Sequence, residues 1–164
     1  MSKYQLAELN VASLKAPLDS PELKDFVDNL DRINALAEAT PGFVWRLKGD
    51  GNDATSLRPL GESVIVNLST WRDVDSLRHY VYKTAHVEIL KRKREWFTRM
   101  ADAYMVMWWV KAGHQPTAAE AVAKLEYLRQ HGPSPEAFTF GDAFAAPDAA
   151  QPGERFSFKD ACPA

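Results

Sequence analysis

The residues best suited to chemistry lie in one short stretch, Asn67-Leu68-Ser69-Thr70-Trp71. In an extended chain side chains alternate between faces, so Asn67, Ser69 and Trp71 share one face and Val66 and Leu68 take the other. Asn10 ends an alternating segment near the N-terminus, and Arg46 lies in a further extended segment. An amide can hold a phenol or enol oxygen and stabilise its anion, and an indole gives a flat apolar wall. The set predicts a small-molecule site with Asn10, Asn67 and Trp71 at its reacting centre and Arg46 and Ser69 as ligand contacts. The plain alternative is a sheet Asn satisfied by its neighbours and a core Trp.

Histidine forms the second set. His79 and His86 are seven residues apart, two turns of a continuous helix, with Tyr82 on the same face. His86 suits a general base or an axial haem ligand; the alternative is a helix His bonded to a carbonyl or to solvent. There is no H-x-H, H-E-x-x-H or Cys cluster, so no metal site is expected. Five tryptophans, with Tyr80, Tyr82 and Tyr104, either wall a cavity for a flat ligand or form core and interface. Tyr82, Trp96 and Trp108 are the ligand contacts expected from this group. Glu8 is the one acid inside a strand interior, and no carboxylate pair stands at catalytic spacing. The sequence contains no Gly-rich phosphate loop, dinucleotide fingerprint or nucleophile elbow.

The elements that must position these residues follow from periodicity. Residues 4–12, 43–48, 62–71 and 103–111 read as strands. Ser20-Pro21-Glu22-Leu23 opens a helix that buries Leu23, Phe26, Val27, Leu30 and Ile33 and stops at Thr40-Pro41-Gly42. Asp73 caps a second helix running through Met100, with a break expected near Lys83-Thr84. The order strand, helix, strand, strand, helix, strand is the split βαβ of an α+β, ferredoxin-like domain with a four-stranded antiparallel sheet. Both faces of the strands carry apolar residues. The helices cover one face, so a second copy is expected on the open face, giving a homodimer of dimeric α/β-barrel type. Thr117 opens a further helix that ends at Gly132-Pro133, so the domain is placed at 1–132. Residues 133–164 form a tail with two aromatic clips, one around Phe138 and Phe144 and one around Phe156 and Cys162. Packing on the domain and partial disorder are both open for it.

Bulk composition narrows the class. The 164 residues are 46% hydrophobic and 26% charged, with a net charge of −2. That balance excludes a general pull toward nucleic acid or an anionic membrane. The run Lys91-Arg92-Lys93-Arg94 points in all directions on a helix and is answered by Glu88 and Glu95 in pairs such as Glu88–Arg92 and Glu95–Arg99. No stretch is long and apolar enough to span a bilayer, and the first residues lack a signal-peptide pattern. The single cysteine, Cys162, excludes a disulfide framework, so a cytoplasmic location is expected.

Three stretches carry a family resemblance: PLDSPELKDFVDNLDRINALAEATPGFVWRL, VNLSTWRDVDSLRHYVYKTAHVEILKRKREWF and MVMWWVKAGHQPTAAEAVAKLEYLRQHGPSPEAFTF. Over residues 4–140 the chain resembles the bacterial domain-of-unknown-function 3291 family, which is assigned to the dimeric α/β-barrel group. The resemblance implies the fold but no settled activity; the wider group includes antibiotic-biosynthesis monooxygenases and haem-handling barrels. An Asn on the first strand, with an Asn and a Trp four apart on a later one, is similar to the site of cofactor-independent anthrone monooxygenases. Asn10, Asn67 and Trp71 would take those places. Three readings follow: a cofactor-independent oxygenase on a phenolic or enolisable substrate, in which Asn67 and Trp71 border a cavity; a haem barrel with His86 as ligand; and a non-catalytic ligand-binding or interaction barrel.

Overall fold

Alternation fixes the middle of the sheet. In the computed structural model, which describes residues 2–158, strand β1 is Tyr4–Leu14 and lies at the centre. On one side it pairs antiparallel with β3, Val64–Trp71, which pairs in turn with the edge strand β2, Phe43–Arg46. On the other side β1 pairs with β5, Met105–Lys111. A two-residue strand not foreseen from the sequence, β4 (Phe97–Thr98), pairs with Ser13 and Leu14 on that same side. The order β2-β3-β1-β5 is the antiparallel ferredoxin-like arrangement.

Helix α1, Lys24–Ala39, follows a short 3-10 turn at Pro21–Leu23. Ser20 does not cap it; its hydroxyl bonds the Pro17 carbonyl instead. Helix α2, Val74–Lys83, is capped as expected: the Asp73 carboxylate accepts from Ser76 N at 2.8 Å. The chain then breaks at Thr84-Ala85, and α3, His86–Trp96, starts a new direction. Because the helix is not continuous, His79 and His86 do not share a face; His79 is exposed. On α3, Arg92 bonds Asp25 and Glu95 while Lys91 meets Glu88, so the acid–base pairs are i,i+3 rather than i,i+4.

The sheet is buried on both faces by its own chain. On one face Leu6, Trp71 and Met107 pack with Ala37 of α1, with Val74, Leu77 and Tyr80 of α2, and with Phe138, Phe140 and Phe144. On the other, Ala7, Leu9, Val11, Val66, Leu68, Val106 and Trp108 pack with Ala121, Leu125 and Leu128 of α4, Ala118–His131. Leu57 and Leu60, from the loop between β2 and β3, complete that layer. This corrects the expected open face: α4 and the loop cover it. The segment after α4 packs on the same core. Phe138 exchanges backbone hydrogen bonds with Met107 along the outer edge of β5. β6 (Ala143–Phe144) pairs with β7 (Arg155–Phe156). The second aromatic clip reaches Phe158, which meets Phe140 and Phe156; its end, with Cys162, lies outside the described residues. Among those residues no helix is long and apolar enough to cross a membrane.

If α4 seals the second face, its most buried residue carries measurable stability. Leu125 is fully buried, and Leu125→Ala should lower unfolding free energy by about 3 kcal/mol, read as a shifted urea midpoint. An unchanged midpoint would mean that α4 is not docked in solution.

Candidate functional site

The register of β1 assembles the site as rows across the helix-covered face. Leu6 lies opposite Trp71, Glu8 opposite Ser69, and Asn10 opposite Asn67. On the other side of β1, Glu8 faces Met107 and Asn10 faces Met105. A bulge in β2 sets Arg46 opposite Ser69. The middle row is therefore Met107, Glu8, Ser69 and Arg46. The juxtaposition of Asn10 and Asn67, which only register decides, is present.

Glu8 is the centre. It is 5% exposed, on the central strand. Asn10 Nδ2 donates to its Oε1 at 2.9 Å. Burial raises the carboxyl to about 7, while hydrogen bonds from Asn10 and Ser69 pull it back toward the ordinary range. Ser69 in turn accepts from Trp71 Nε1 at 2.9 Å. Trp71 is 1% exposed; it meets Phe43 edge-on at 5.3 Å and stacks on Tyr80 at 5.2 Å. The Tyr80 hydroxyl donates to the Ile33 carbonyl of α1 at 3.3 Å. Burial and the Glu8 charge both raise its phenol above the usual tyrosine range, and Arg46 opposes them.

His86 joins through Tyr80, ring to ring at 4.7 Å. The helix break puts it there: the Thr84 hydroxyl accepts from His86 N and donates to the Tyr80 carbonyl. His86 Nδ1 lies 3.2 Å from the Val81 carbonyl. A carbonyl only accepts, so Nδ1 carries the proton and Nε2 keeps its lone pair. Burial lowers the imidazole below its ordinary value, with the Val81 bond opposing, which favours the neutral ring.

Of the expected residues, the structure brings Asn10, Ser69, Trp71 and Arg46 to one face and His86 to its roof. Asn67 is on that face but exposed, with no side-chain hydrogen bond among the described residues; it marks the open end of the rows. Tyr82 turns to Phe140 at 5.7 Å. Trp96 is fully buried at the far end of α3 against Phe26 and beneath Arg92. Trp108 is on the opposite face, with Nε1 3.4 Å from Glu120. The last two stand apart from the rows because strand parity and the helix break carry them away. Neither of the two best-defined concavities adjoins Asn67 or Trp71. The best-formed concavities lie elsewhere, about 440 Å³ beside Ser2, Arg72 and Trp109 and about 380 Å³ along Leu18–Asp28. Neither concavity adjoins His86, and no step is derived through haem. Reasoning from sequence missed Glu8 as the centre, and missed Tyr80. The available signal was that Glu8 is in phase with Leu6 and Asn10.

The buried carboxyl makes stability depend on pH in a defined sense. With Glu8 at 4.5 when unfolded and about 7 when folded, the native state holds more protons between those values. Stability therefore falls as pH rises through that window, by about 3 kcal/mol in all. Urea unfolding at pH 5 and pH 8 should show this loss. Glu8→Gln should remove it and be the more stable protein at pH 8; a variant with the same pH slope would show that Glu8 is not the titrating group.

No curated protein matches the chain. Three similar solved structures are a Nitrosomonas europaea protein of unknown function, SnoaB, a cofactor-independent oxygenase from Streptomyces nogalater, and a Pseudomonas aeruginosa protein. The first shares 14% identity over 71% of this chain and 98% of that one, at a TM-score of 0.44. SnoaB shares 17% over 70% and 97%, at 0.44; the third shares 14% over 70% and 98%, at 0.45. The family model for domain of unknown function 3291 matches residues 5–155, and with that match spanning the sheet, the four helices and most of the C-terminal segment, the chain belongs to that family.

Proposed function

We propose that the protein is a cofactor-independent, monooxygenase-like enzyme that removes a proton from a small phenolic or enolisable substrate, with Glu8 as the base. One observation carries this reading: a carboxyl buried in the central strand, bonded by neutral donors and held near pH 7. A base is most effective when its pKa lies near the working pH. Nothing in the packing of a core requires such a group, and burying it lowers stability. Asn10 has a second N–H for the oxygen on which the substrate's charge collects. His86, neutral and with a free lone pair on Nε2, stands ready as a proton acceptor beside Tyr80. Substrate approaches from the Asn67 end, where the rows meet solvent. The groups come from one chain, so the reading does not depend on a second subunit. Neither of the two concavities adjoins Glu8, which favours a second reading, a non-catalytic ligand-binding or interaction barrel that predicts binding without turnover.

Dithranol, a 1,8-dihydroxyanthrone, tests the reaction. Loss of its acidic C–H proton to Glu8 leaves a carbanion that reduces dioxygen; recombination and loss of water give the anthraquinone, with one O₂ consumed per quinone and water formed. The protein should speed quinone formation above the buffer rate, and Glu8→Gln should lose about 10²- to 10⁴-fold of that rate. Equal rates for the two proteins would overturn the assignment of Glu8.

A further inference from the structure

The row of Glu8 is covered by side chains from the far end of the chain. Glu8 lies opposite Met107, and Met107 packs in one cluster with Tyr80, Phe138, Phe140, Ala143 and Phe144. Met105, opposite Asn10 in the row that ends at Asn67, packs on the same cluster. Neither of the two best-defined concavities adjoins Glu8. A flat ligand therefore gains room beside Glu8 only if part of this aromatic layer leaves.

One part is attached unlike the rest. Phe138 exchanges backbone hydrogen bonds with Met107, at 2.8 and 2.9 Å. From there to Phe158, every backbone–backbone hydrogen bond among the described residues stays within the segment. β6 pairs with β7, Ala145 N donates to the Glu154 carbonyl at 2.9 Å, and Phe158 N donates to the Phe140 carbonyl at 3.2 Å. The Arg155–Asp142 ion pair is internal too. Side chains dock this hairpin on the body. Trp109 Nε1 donates to the Phe144 carbonyl at 2.8 Å. The Phe140 ring meets Tyr82 at 5.7 Å, and Phe158 lies 4.5 Å beneath the Arg78 guanidinium. Asp148 accepts from Ser2 Oγ and Lys3 N. A unit bonded within itself and docked by side chains opens as one body, about a hinge next to its last backbone tie.

We infer that residues 140–158 form a hinged cover over a hidden ligand site, in which Phe140 and Phe144 hold the place of a flat aromatic ligand beside Met107 and Tyr80. The inference rests on the proposed function for the ligand class, a hydroxylated anthrone or quinone, and not for the hinge. Opening exchanges one aromatic surface for another: the ligand's rings take up contacts with Met107 and Tyr80 that the phenylalanines release. Phe138 stays with β5. A ligand that needs the open form binds in proportion to the fraction open, so loosening the cover tightens apparent binding.

Two readouts on the full chain test this. Amide exchange without ligand reads the hinge. The Ala145 and Phe158 amides should exchange together, roughly 10-fold or more faster than those of Val11 and Met107. Exchange of all four at one rate overturns the hinge. Quenching of tryptophan fluorescence by 1,8-dihydroxyanthraquinone, the stable product of dithranol, reads the site. Phe158→Ala removes a half-buried docking contact outside the hidden site, and it should bind this probe roughly threefold or more tightly than wild type. Phe144→Ala should also bind more tightly although its urea midpoint falls; a side chain serving only as core would lose binding with stability. The Phe158 variant decides alone if the Phe144 variant does not fold. Absent binding, or equal or weaker binding by Phe158→Ala, overturns the hidden site. Tighter binding by Phe158→Ala with no dithranol turnover in either protein keeps the cover and removes the oxygenase reading, so the two failures are distinct.

Discussion

A carboxyl group sits in the middle of the central strand with no cation paired to it among the described residues, and the neighbouring structure is arranged around that fact. Glu8 is bonded by an amide and a hydroxyl, both neutral. Arg46 lies in the same cross-strand row, yet its guanidinium is taken by Glu38 and Asn52. Had Arg46 paired with Glu8, opposite charge at close range would have driven the carboxyl well below its ordinary range. Pairing the arginine outward is what leaves burial as the dominant influence. The support then runs outward in steps: Ser69 is held by Trp71, Trp71 by the Tyr80 ring, and Tyr80 by the α1 backbone. Removing any member loosens the next.

Such a group needs a dry surround, and the fold provides it by closing both faces of the sheet within one chain. A ferredoxin-like sheet covered on one side leaves its other face to water or to a partner. Here α4 folds back across that face, and the loop after β2 fills the remaining gap. The C-terminal segment performs the same task at the edge. By pairing Phe138 with Met107 it occupies backbone groups on β5 that would otherwise be open to another strand. The edge at β2 stays short, which limits its capacity to pair.

Much of the fold was legible from local pattern. Alternation located β1, β2, β3 and β5, and the cap at Asp73 and the stop at Gly132 marked helix ends, because these signals depend on residues adjacent in sequence. The break before His86 was visible only as a locus, Lys83-Thr84; its consequence was not. A helix continued past Lys83 would have carried His86 two turns beyond His79. The break, held by the Thr84 hydroxyl, returns it over Tyr80 instead. Sequence likewise gave no warning that Trp96 and Trp108 would lie apart from the rows, since composition says nothing of which aromatic residues meet.

The amino-acid sequence by itself determined the strand faces, so the common side of Asn67, Ser69 and Trp71 and of Leu6, Glu8 and Asn10 was set before folding. That follows from the two-residue repeat of an extended chain, which is a local property. Tertiary structure alone decided the register that puts Glu8 beside Ser69, the bulge that adds Arg46, and the helix positions that bring in Tyr80 and His86. It also decided that the second face is covered by α4. These are long-range choices, made by which apolar surfaces find one another. They turn an ordinary glutamate into the most perturbed acid described in the molecule.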